Sequence, residues 1–329
     1  MIVTFGNRCC RSLILGCAML SISGCYYMQA ARGQLDVMSK REPIDKLIEA
    51  PDTPEELAAR LRLVSEARQF AIDELLLPDN DSYRSYADLG RDYVVWNVFA
   101  APEFSLDPKT WCFPIAGCVA YRGYFSEDAA RRQADQLAED GLDVAVGGVP
   151  AYSTLGRFDD PVLNTMMHWE DADLVATIFH ELAHQALYVK NDSAFNESFA
   201  TTVEEIGIER WLTSRDQGGD FNDYNERRER REKTMDAIAA ARSDLEKLYA
   251  SSMAAHEMRR AKETRLAQLA NELPAELEID LNNARLASMS LYQSRVPEFQ
   301  ALYEKCEREL RCFYDQASSL QPAESSTPH

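Results

Sequence analysis

The chain has 329 residues, enough for one large domain or two modest ones, and its 46% hydrophobic and 27% charged residues are ordinary for a soluble globular protein. These totals argue against a disordered or fibrous chain. With 54 Asp and Glu against 35 Lys and Arg, the net charge is −19, and an anionic surface of this kind repels phosphate backbones, so nucleic acid is not an expected partner.

The first 25 residues have the pattern of an export signal. Two arginines and no acidic residue precede an apolar run from Leu13 to Ile22, which is too short to span a membrane as a stable helix. The segment Ile22-Ser23-Gly24-Cys25 resembles the lipobox of bacterial lipoproteins, in which the cysteine becomes the lipidated first residue. The resemblance implies a signal peptide over residues 1–24 and a membrane anchor through a lipid on Cys25. A plain cleaved signal or an uncleaved anchor is the alternative.

The residue after this cysteine indicates the destination. A lipoprotein retained at the inner membrane carries Asp at this position, whereas this chain carries Tyr26. The resemblance therefore implies a protein of the bacterial cell envelope, anchored in the outer membrane and facing the periplasm.

Four cysteines remain when the signal and Cys25 are set aside. Cys112 and Cys118 are six residues apart, and so are Cys306 and Cys312. An even number in an exported protein favours disulfides, and the equal spacings suggest two local pairs, although sequence alone permits three connectivities. Four unpaired buried thiols are the alternative.

The first half of the mature chain is predicted to mix helices with strands. Residues 53–77 have the apolar face of a helix capped by Thr53, and residues 126–141 predict a second helix capped by Ser126. Segments rich in β-branched and aromatic residues predict strands at 92–104, 119–125 and 142–156.

From Asp171 onward the sequence has almost no strand signal. Met235, Ile238 and Ala241 begin a run of apolar residues at steps of three and four, and charged residues beside them are typical of a solvated helix face. We therefore expect an α+β fold in a single unit over residues 25–329, mixed α/β to about residue 170 and mainly helical over about 171–320.

One helix carries two histidines on the same face. His180 and His184 are four residues apart in the sequence IFHELAHQALYV, so both imidazoles can reach a single metal ion. Asp171 or Asp173 can cap this helix. Glu181 lies between the histidines and can take a proton from a water on the metal, which is the HExxH arrangement of zinc peptidases.

A third ligand is expected from the next helix. If the first helix ends near Val189 and the second begins near Ala194, an antiparallel pair places Glu197 level with His184. The segment from Asn196 to Ala200, NESFA, resembles the Asn-Glu-x-Phe-Ala segment of thermolysin-like zinc aminopeptidases, which supply a glutamate ligand from this helix. Their Gly-x-Met-Glu-Asn sequence, which recognises a free amino terminus, does not occur in this chain.

The mature chain as a whole resembles a bacterial family of zinc-dependent aminopeptidases that are mostly predicted lipoproteins. The resemblance implies a zincin-like core, a Zn²⁺ cofactor and a peptide substrate. It spans most of the mature chain and is carried by the lipobox with YYMQAARGQLDVM, and by TWCFPIAGCVAYRGYF, FDDPVLNTM, FHELAHQALYVKNDSAFNESFATTVEE and LNNARLASMSLY.

These residues predict hydrolysis by a metal-activated water. Zn²⁺ on His180, His184 and Glu197 keeps a fourth position open for water, and Glu181 serves as the general base. Glu204, two turns after Glu197, is expected either to hydrogen-bond an imidazole or to be an exposed acid.

The sequence does not single out one residue that stabilises the oxyanion. Tyr152, Tyr292 and His168 are candidates for stabilising the oxyanion, although each alone is more often a packed aromatic or an ordinary surface residue. The segment at 146–156 is a candidate edge strand for an extended peptide.

Three functional alternatives remain open from the sequence. The metal site could be structural or inactive, the enzyme could be an endopeptidase, or the protein could be a non-catalytic envelope lipoprotein that binds a partner through its helical half. The sequence does not indicate an oligomeric state.

Overall fold

The computed structural model describes residues 26–113, 117–151, 153–215, 218–274, 280–290 and 295–320. The predicted signal peptide and the lipidation site Cys25 lie outside the described residues, as do the oxyanion candidates Tyr152 and Tyr292.

The first half contains short strands and helices in alternation. Residues 26–39 are helical and form α1. The following elements are β1 (Arg41–Pro43), α2 (Ile44–Glu49), α3 (Glu55–Asp73), β2 (Ser85–Ala87), β3 (Val95–Pro102), β4 (Trp111–Phe113), β5 (Gly117–Val119), β6 (Arg122–Tyr124), α4 (Glu127–Glu139), β7 (Leu142–Val149) and β8 (Val162–Leu163).

The second half is helical throughout the residues that the structure describes. After a 3₁₀ turn at Asn164–Met166 come α5 (Asp171–Ala186), α6 (Ser193–Ser214), α7 (Gly218–Tyr249), α8 (Ala255–Glu272), α9 (Asn283–Ser290), α10 (Val296–Lys305) and α11 (Leu310–Ser319). The prediction of an α+β fold with a mainly helical C-terminal half is confirmed.

The strands form three small sheets. The main one has the order β6-β3-β7 and is antiparallel, with β3 in the centre. A mixed sheet has the order β1-β2-β8, and β4 and β5 form a hairpin. The predicted strand regions are therefore correct in place, but the last of them ends at Val149 because Pro150 cannot donate a ladder hydrogen bond.

The two faces of the main sheet are covered differently. Side chains alternate along β3, and Val98 and Ala100 pack against α4 on one face. Phe99 and Ala101 point to the other face, where Ala284 of α9 covers them. The remainder of that second face, around Val95 and Asn97, lines a cavity.

The largest core lies among α3, α5, α6, α10 and α11. Five phenylalanines in it are fully buried, and four of these form a network of ring contacts between α6, α10 and α11: Phe195, Phe199, Phe299 and Phe313. This core fixes the position of α5 and α6 relative to each other.

The helix starts differ from the predicted caps in two cases. The cap position of α3 is Pro54 instead of Thr53, and that of α5 is Glu170 instead of an aspartate; neither residue makes a side-chain capping bond. Acidic residues in the first turn interact favourably with the helix dipole in both helices, and Asp171 pairs with Arg60. Ser126 does cap α4, accepting a hydrogen bond from the backbone of Ala129.

The four cysteines that follow Cys25 form the two local pairs that their spacing suggested. Cys112 and Cys118 form a disulfide across the β4–β5 hairpin, and Cys306 and Cys312 form one between the end of α10 and the start of α11. Among the described residues, no helix has both the length and the apolar character required to cross a membrane.

Candidate metal centre

The turn between α5 and α6 is held by two polar side chains. Asp192 caps α6 by accepting a hydrogen bond from the backbone of Phe195 at 2.8 Å. Asn196 is buried and clamps the turn, because its Oδ1 accepts from the Val189 amide at 2.7 Å and its Nδ2 donates to the Val189 carbonyl at 2.8 Å. The clamp sets the position of the next residue, Glu197.

The structure brings together the three residues predicted as metal ligands. Glu197 Oε2 lies 3.5 Å from His180 Nε2 and 3.7 Å from His184 Nε2, and one ligand atom from each residue lies within 4.8 Å of the others. Tetrahedral ligands at zinc-like bond lengths of about 2.0–2.1 Å are separated by about 3.3–3.4 Å. The donor set and its spacing therefore fit a metal ion such as zinc.

Burial and charge act against each other at these ligands. Burial disfavours the ionised form of Glu197, but the adjacent imidazoles of His184 and His180 hold its pKa well below the usual value. Burial alone would lower the pKa of His180, but hydrogen bonds with Glu197 and Glu204 raise it. The carboxylates thus create a negative potential that favours a cation between the rings.

Of the two alternatives left open for Glu204, the structure shows the imidazole contact. Its Oε2 lies 3.0 Å from His180 Nδ1, the ring nitrogen that faces away from Glu197. This contact fixes the orientation of the ring and leaves Nε2 directed toward the ligand cluster. His184 Nδ1 is buried and has no hydrogen-bond partner among the described residues.

Glu181 is buried beside the ligands without belonging to the cluster. Burial raises its pKa, and the charges of Glu197 and Glu204 raise it further, while the two histidines oppose this. It lines the same cavity as the ligands. A carboxylate whose pKa is raised toward neutrality is suited to take up a proton.

Two cavities meet at the candidate centre. One has a volume of about 430 Å³, within the range of sites that take a small ligand, and lies between the ligands and the main sheet. The other, of about 370 Å³, lies toward α7. Both cavities are lined by His180, Glu181, Val149 and Ala151. The segment at 149–151, which belongs to the candidate edge strand at 146–156, therefore lies beside the candidate centre.

Of the three oxyanion candidates, only His168 lies in the part of the chain that the structure describes. His168 lines neither cavity, and its ring packs edge-on against Trp169. Tyr121 and Tyr188, which the sequence did not single out, line the larger cavity. Burial raises the pKa of both phenols, and the nearby charge of Glu197 raises them further, so both stay protonated at neutral pH. Tyr188 lies two residues beyond the end of α5, in the extended segment that follows Ala186, so helical spacing from the motif does not predict its place.

Comparison with known proteins supports a peptidase relationship. The family model described as "Putative aminopeptidase" matches residues 25–328, which is nearly the whole chain. Searches of curated proteins and of solved structures returned no match. The chain belongs to the family of putative aminopeptidases.

Proposed function

We propose that this protein is a zinc-dependent aminopeptidase with a zincin-like core. The observation that carries the proposal is the cluster of His180, His184 and Glu197 with Glu181 in one cavity. Two imidazoles, one carboxylate and an adjacent acid form the donor set of hydrolytic zinc centres. The description of the matching family as putative aminopeptidases favours cleavage at the amino-terminal end of the peptide.

The residues have distinct roles in this reaction. The two histidines and Glu197 would hold the zinc ion, which would supply Lewis-acid activation of a water and of the scissile carbonyl. Glu181 takes the proton from the attacking water and delivers it to the leaving amine. Glu204 holds His180 in the orientation that ligation requires.

A hydroxyl donor completes the proposed site. The tetrahedral oxygen needs a hydrogen-bond donor at its final position. We assign this role to Tyr121, whose protonated phenol lies in the cavity close enough to Glu197 and Glu181 to feel both charges.

We propose further that the enzyme is anchored in the outer membrane by a lipid on Cys25 and faces the periplasm. Tyr26, the next residue, lines the larger cavity, so the anchor would hold the cavity close to the bilayer. Incorporation of labelled fatty acid and fractionation of Cys25→Ser test this: the variant is expected in the soluble fraction, and an unlabelled wild type would contradict the anchor.

Substitution of Glu181 tests the enzymatic assignment. We expect Glu181→Gln to keep its metal, because the ligands are unchanged, and to lose at least about a hundredfold in hydrolysis, because general-base catalysis is removed. Metal content by elemental analysis and cleavage of unblocked peptides are the measurements. Glu257→Gln, an exposed change on α8, is the matched control.

Two results would contradict this assignment. Equal hydrolysis by wild type and Glu181→Gln excludes this centre as the source of activity. Retention of zinc with no hydrolysis of any peptide by the wild type favours the non-catalytic envelope lipoprotein.

An endopeptidase is the second candidate, and the second cavity favours it. A peptide that occupies both cavities extends on both sides of Glu181. Peptides with free and N-acetylated ends separate the two, because an aminopeptidase rejects blocked termini and an endopeptidase accepts them.

A further inference from the structure

Asn97 is a buried polar residue that the proposed reaction does not use. It lies in the middle of β3, is 8% exposed and lines the larger cavity together with the ligands. Its side chain makes no hydrogen bond with any residue that the structure describes. Buried amides are normally paired, because desolvation without a partner costs free energy. An open amide at a cavity wall is therefore suited to a polar group of a ligand.

The residues beside Asn97 leave its amide accessible. Its cross-strand partners are Gly123 on β6 and Gly147 on β7, and directly paired residues share one face of a sheet. Both partners lack a side chain, so Asn97 carries the only side chain in this row. A Cβ at Gly123 would lie 3.1 Å from Asn97 Oδ1, which would crowd the amide oxygen.

Helix α1 closes the cavity on the side of β6. Gln29 donates a hydrogen bond to the Gly123 carbonyl and accepts one from the Phe125 amide, which holds the helix on the strand. Gly33 lets the helix approach the ring of Phe125, since a Cβ there would lie 2.0 Å from the ring. Ala30 and Gln34 of the same helix line the cavity. This wall limits how far a peptide can extend beyond the metal centre.

The cavity lining contains hydrogen-bond acceptors and few charged side chains. The cavity lining includes the carboxylates of Glu181 and Glu197 and no Lys or Arg among the described residues. Two arginines in the described part of the chain lie near this part of the sheet without lining the cavity: Arg285 lies beside Gly147 and donates to the Val146 carbonyl, and Arg122 stacks over the ring of Tyr26. A peptide end that enters this cavity therefore meets hydrogen-bond acceptors, and no lysine or arginine of the described lining repels its ammonium group.

We propose that Asn97 Oδ1 accepts a hydrogen bond from the free amino terminus of the bound peptide, and so selects unblocked substrates. This inference rests on the proposed function, because it places a peptide in the cavity of the metal centre. It supplies, from the sheet, the recognition that the Gly-x-Met-Glu-Asn sequence provides in other zinc aminopeptidases.

Binding to a variant that cannot hydrolyse its ligand tests this directly. In a Glu181→Gln background, a short apolar tripeptide with a free amino end is titrated by calorimetry and compared with its N-acetylated form. We expect the free peptide to bind about tenfold to a hundredfold more tightly, the range of a hydrogen bond to a charged group.

Three variants in that background assign the preference to Asn97. Asn97→Ala is expected to remove the difference between the two peptides, and Asn97→Asp to retain it, because the acceptor oxygen is kept. Asn271→Ala makes the same chemical change on exposed α8 and is expected to leave the preference intact. Metal content and thermal unfolding identify any variant that has not folded. If Asn97→Ala is one of them, Asn97→Leu, which removes the acceptor oxygen at nearly the same size, takes its place, and retention of the preference in that variant overturns the inference.

The outcomes separate this inference from the proposed function. An equal preference in Asn97→Ala and the parent overturns the role of Asn97, even if the wild type is an active aminopeptidase. Equal binding of free and acetylated peptides by the parent also overturns it. A wild type that hydrolyses nothing but shows the Asn97-dependent preference overturns only the catalytic proposal.

Discussion

His180 contacts a carboxylate at each ring nitrogen, Glu197 at Nε2 and Glu204 at Nδ1. Only the first carboxylate belongs to the candidate ligand cluster, so the second would act on a bound metal through the orientation and basicity of the ring. A Glu204 variant therefore tests how much the orienting contact contributes to metal affinity, because the three candidate ligands remain in place.

We expect Glu204→Ala to weaken zinc binding by about tenfold to a hundredfold without abolishing it, because the three ligands remain. Competition with a chromophoric chelator measures the affinity. Glu209→Ala, a change on the same helix at a residue paired with Arg308, is the control and is expected to bind zinc like the wild type. An affinity of Glu204→Ala equal to that of this control would show that the contact does not support ligation.

Asp160 is a buried carboxyl group outside the metal centre. Its Oδ2 accepts a hydrogen bond from the Thr154 amide at 2.8 Å, while its Oδ1 is buried with no partner among the described residues. Burial raises its pKa to about 7. The folded protein therefore holds a proton here between about pH 4 and pH 7, where the unfolded chain does not.

The proton held by Asp160 in the folded state determines how the free energy of unfolding changes with pH. Between about pH 4 and pH 7 the folded state binds more protons, so Asp160 makes the free energy of unfolding fall as pH rises, by up to about 1.4 kcal/mol per pH unit. Asn keeps the acceptor for the Thr154 amide and does not titrate. We expect Asp160→Asn to be more stable than the wild type at pH 8 and to differ little from it at pH 4.

Urea unfolding of both proteins at these two pH values measures the effect, and groups common to both cancel in the difference. A constant difference in stability from pH 4 to pH 8 would show that Asp160 titrates alike in the folded and unfolded states.

At the scale of elements, the candidate metal centre depends on the close packing of α5 against α6. Gly207 of α6 lies where a Cβ would come within 2.6 Å of the Phe179 ring and 2.7 Å of Leu75. Both neighbours are fully buried, so they have little room to move. Phe179 directly precedes His180, and displacement of its ring would be transmitted to the ligand.

We expect Gly207→Ala to destabilise the protein by about 1–3 kcal/mol, because overpacking outweighs the gain of about 1 kcal/mol in helix propensity. Zinc affinity is expected to fall with it. Thermal unfolding and chelator competition measure the two effects. Ala239→Gly on α7 is the reverse change away from this contact and is expected to lose only the propensity term. A Gly207→Ala protein more stable than the wild type would contradict tight packing here.

The candidate metal centre shows which features of the site can be predicted from the sequence. The spacing of His180 and His184 is set by helix geometry, which is local, and Glu197 follows after one short turn. The helix end predicted near Val189 lies three residues too late, since α5 ends at Ala186, whereas the start predicted near Ala194 is within one residue of Ser193, where α6 begins. The ligands still meet because the Asn196 clamp fixes the turn.

Other parts of the site depend on contacts between distant segments. Asn97 and Tyr121 reach the cavity only through the pairing of β3 with its neighbours and the docking of α1, which no local pattern encodes. Likewise, Thr53 satisfied a capping pattern, but α3 begins two residues later, after Pro54. Helix periodicity was therefore enough to predict the candidate ligands, whereas the residues of the cavity wall could be identified only from the folded structure.

At the scale of the whole molecule, a buried polar network joins the C-terminal helices to the main sheet. Lys262 of α8 donates to Asp143 of β7 at 2.6 Å and to the Glu103 carbonyl at 2.9 Å. Asn283, at the start of α9, donates to the Pro102 and Glu103 carbonyls and accepts from Tyr249 at the end of α7. The LNNAR segment thus contributes structural contacts rather than chemistry.

Lys262 is the residue on which this attachment is most easily tested. Its side chain is 8% exposed and that of Asp143 is 19% exposed, so removing the ammonium leaves a largely desolvated carboxylate that keeps only the hydrogen bond from the Asn283 amide. Breaking a buried ion pair by removing one partner costs about 3–5 kcal/mol. We expect Lys262→Met, which keeps the apolar stem, to lose stability of that order in denaturant unfolding while its zinc content stays unchanged, because no residue of the network touches the ligands.

Lys247→Met removes a 76% exposed lysine from α7 and is expected to change stability by less than about 0.5 kcal/mol. If both variants unfold at the same denaturant concentration as the wild type, the network does not hold the helical half to the sheet, and the apolar contacts of α7, α8 and α9 alone must do so.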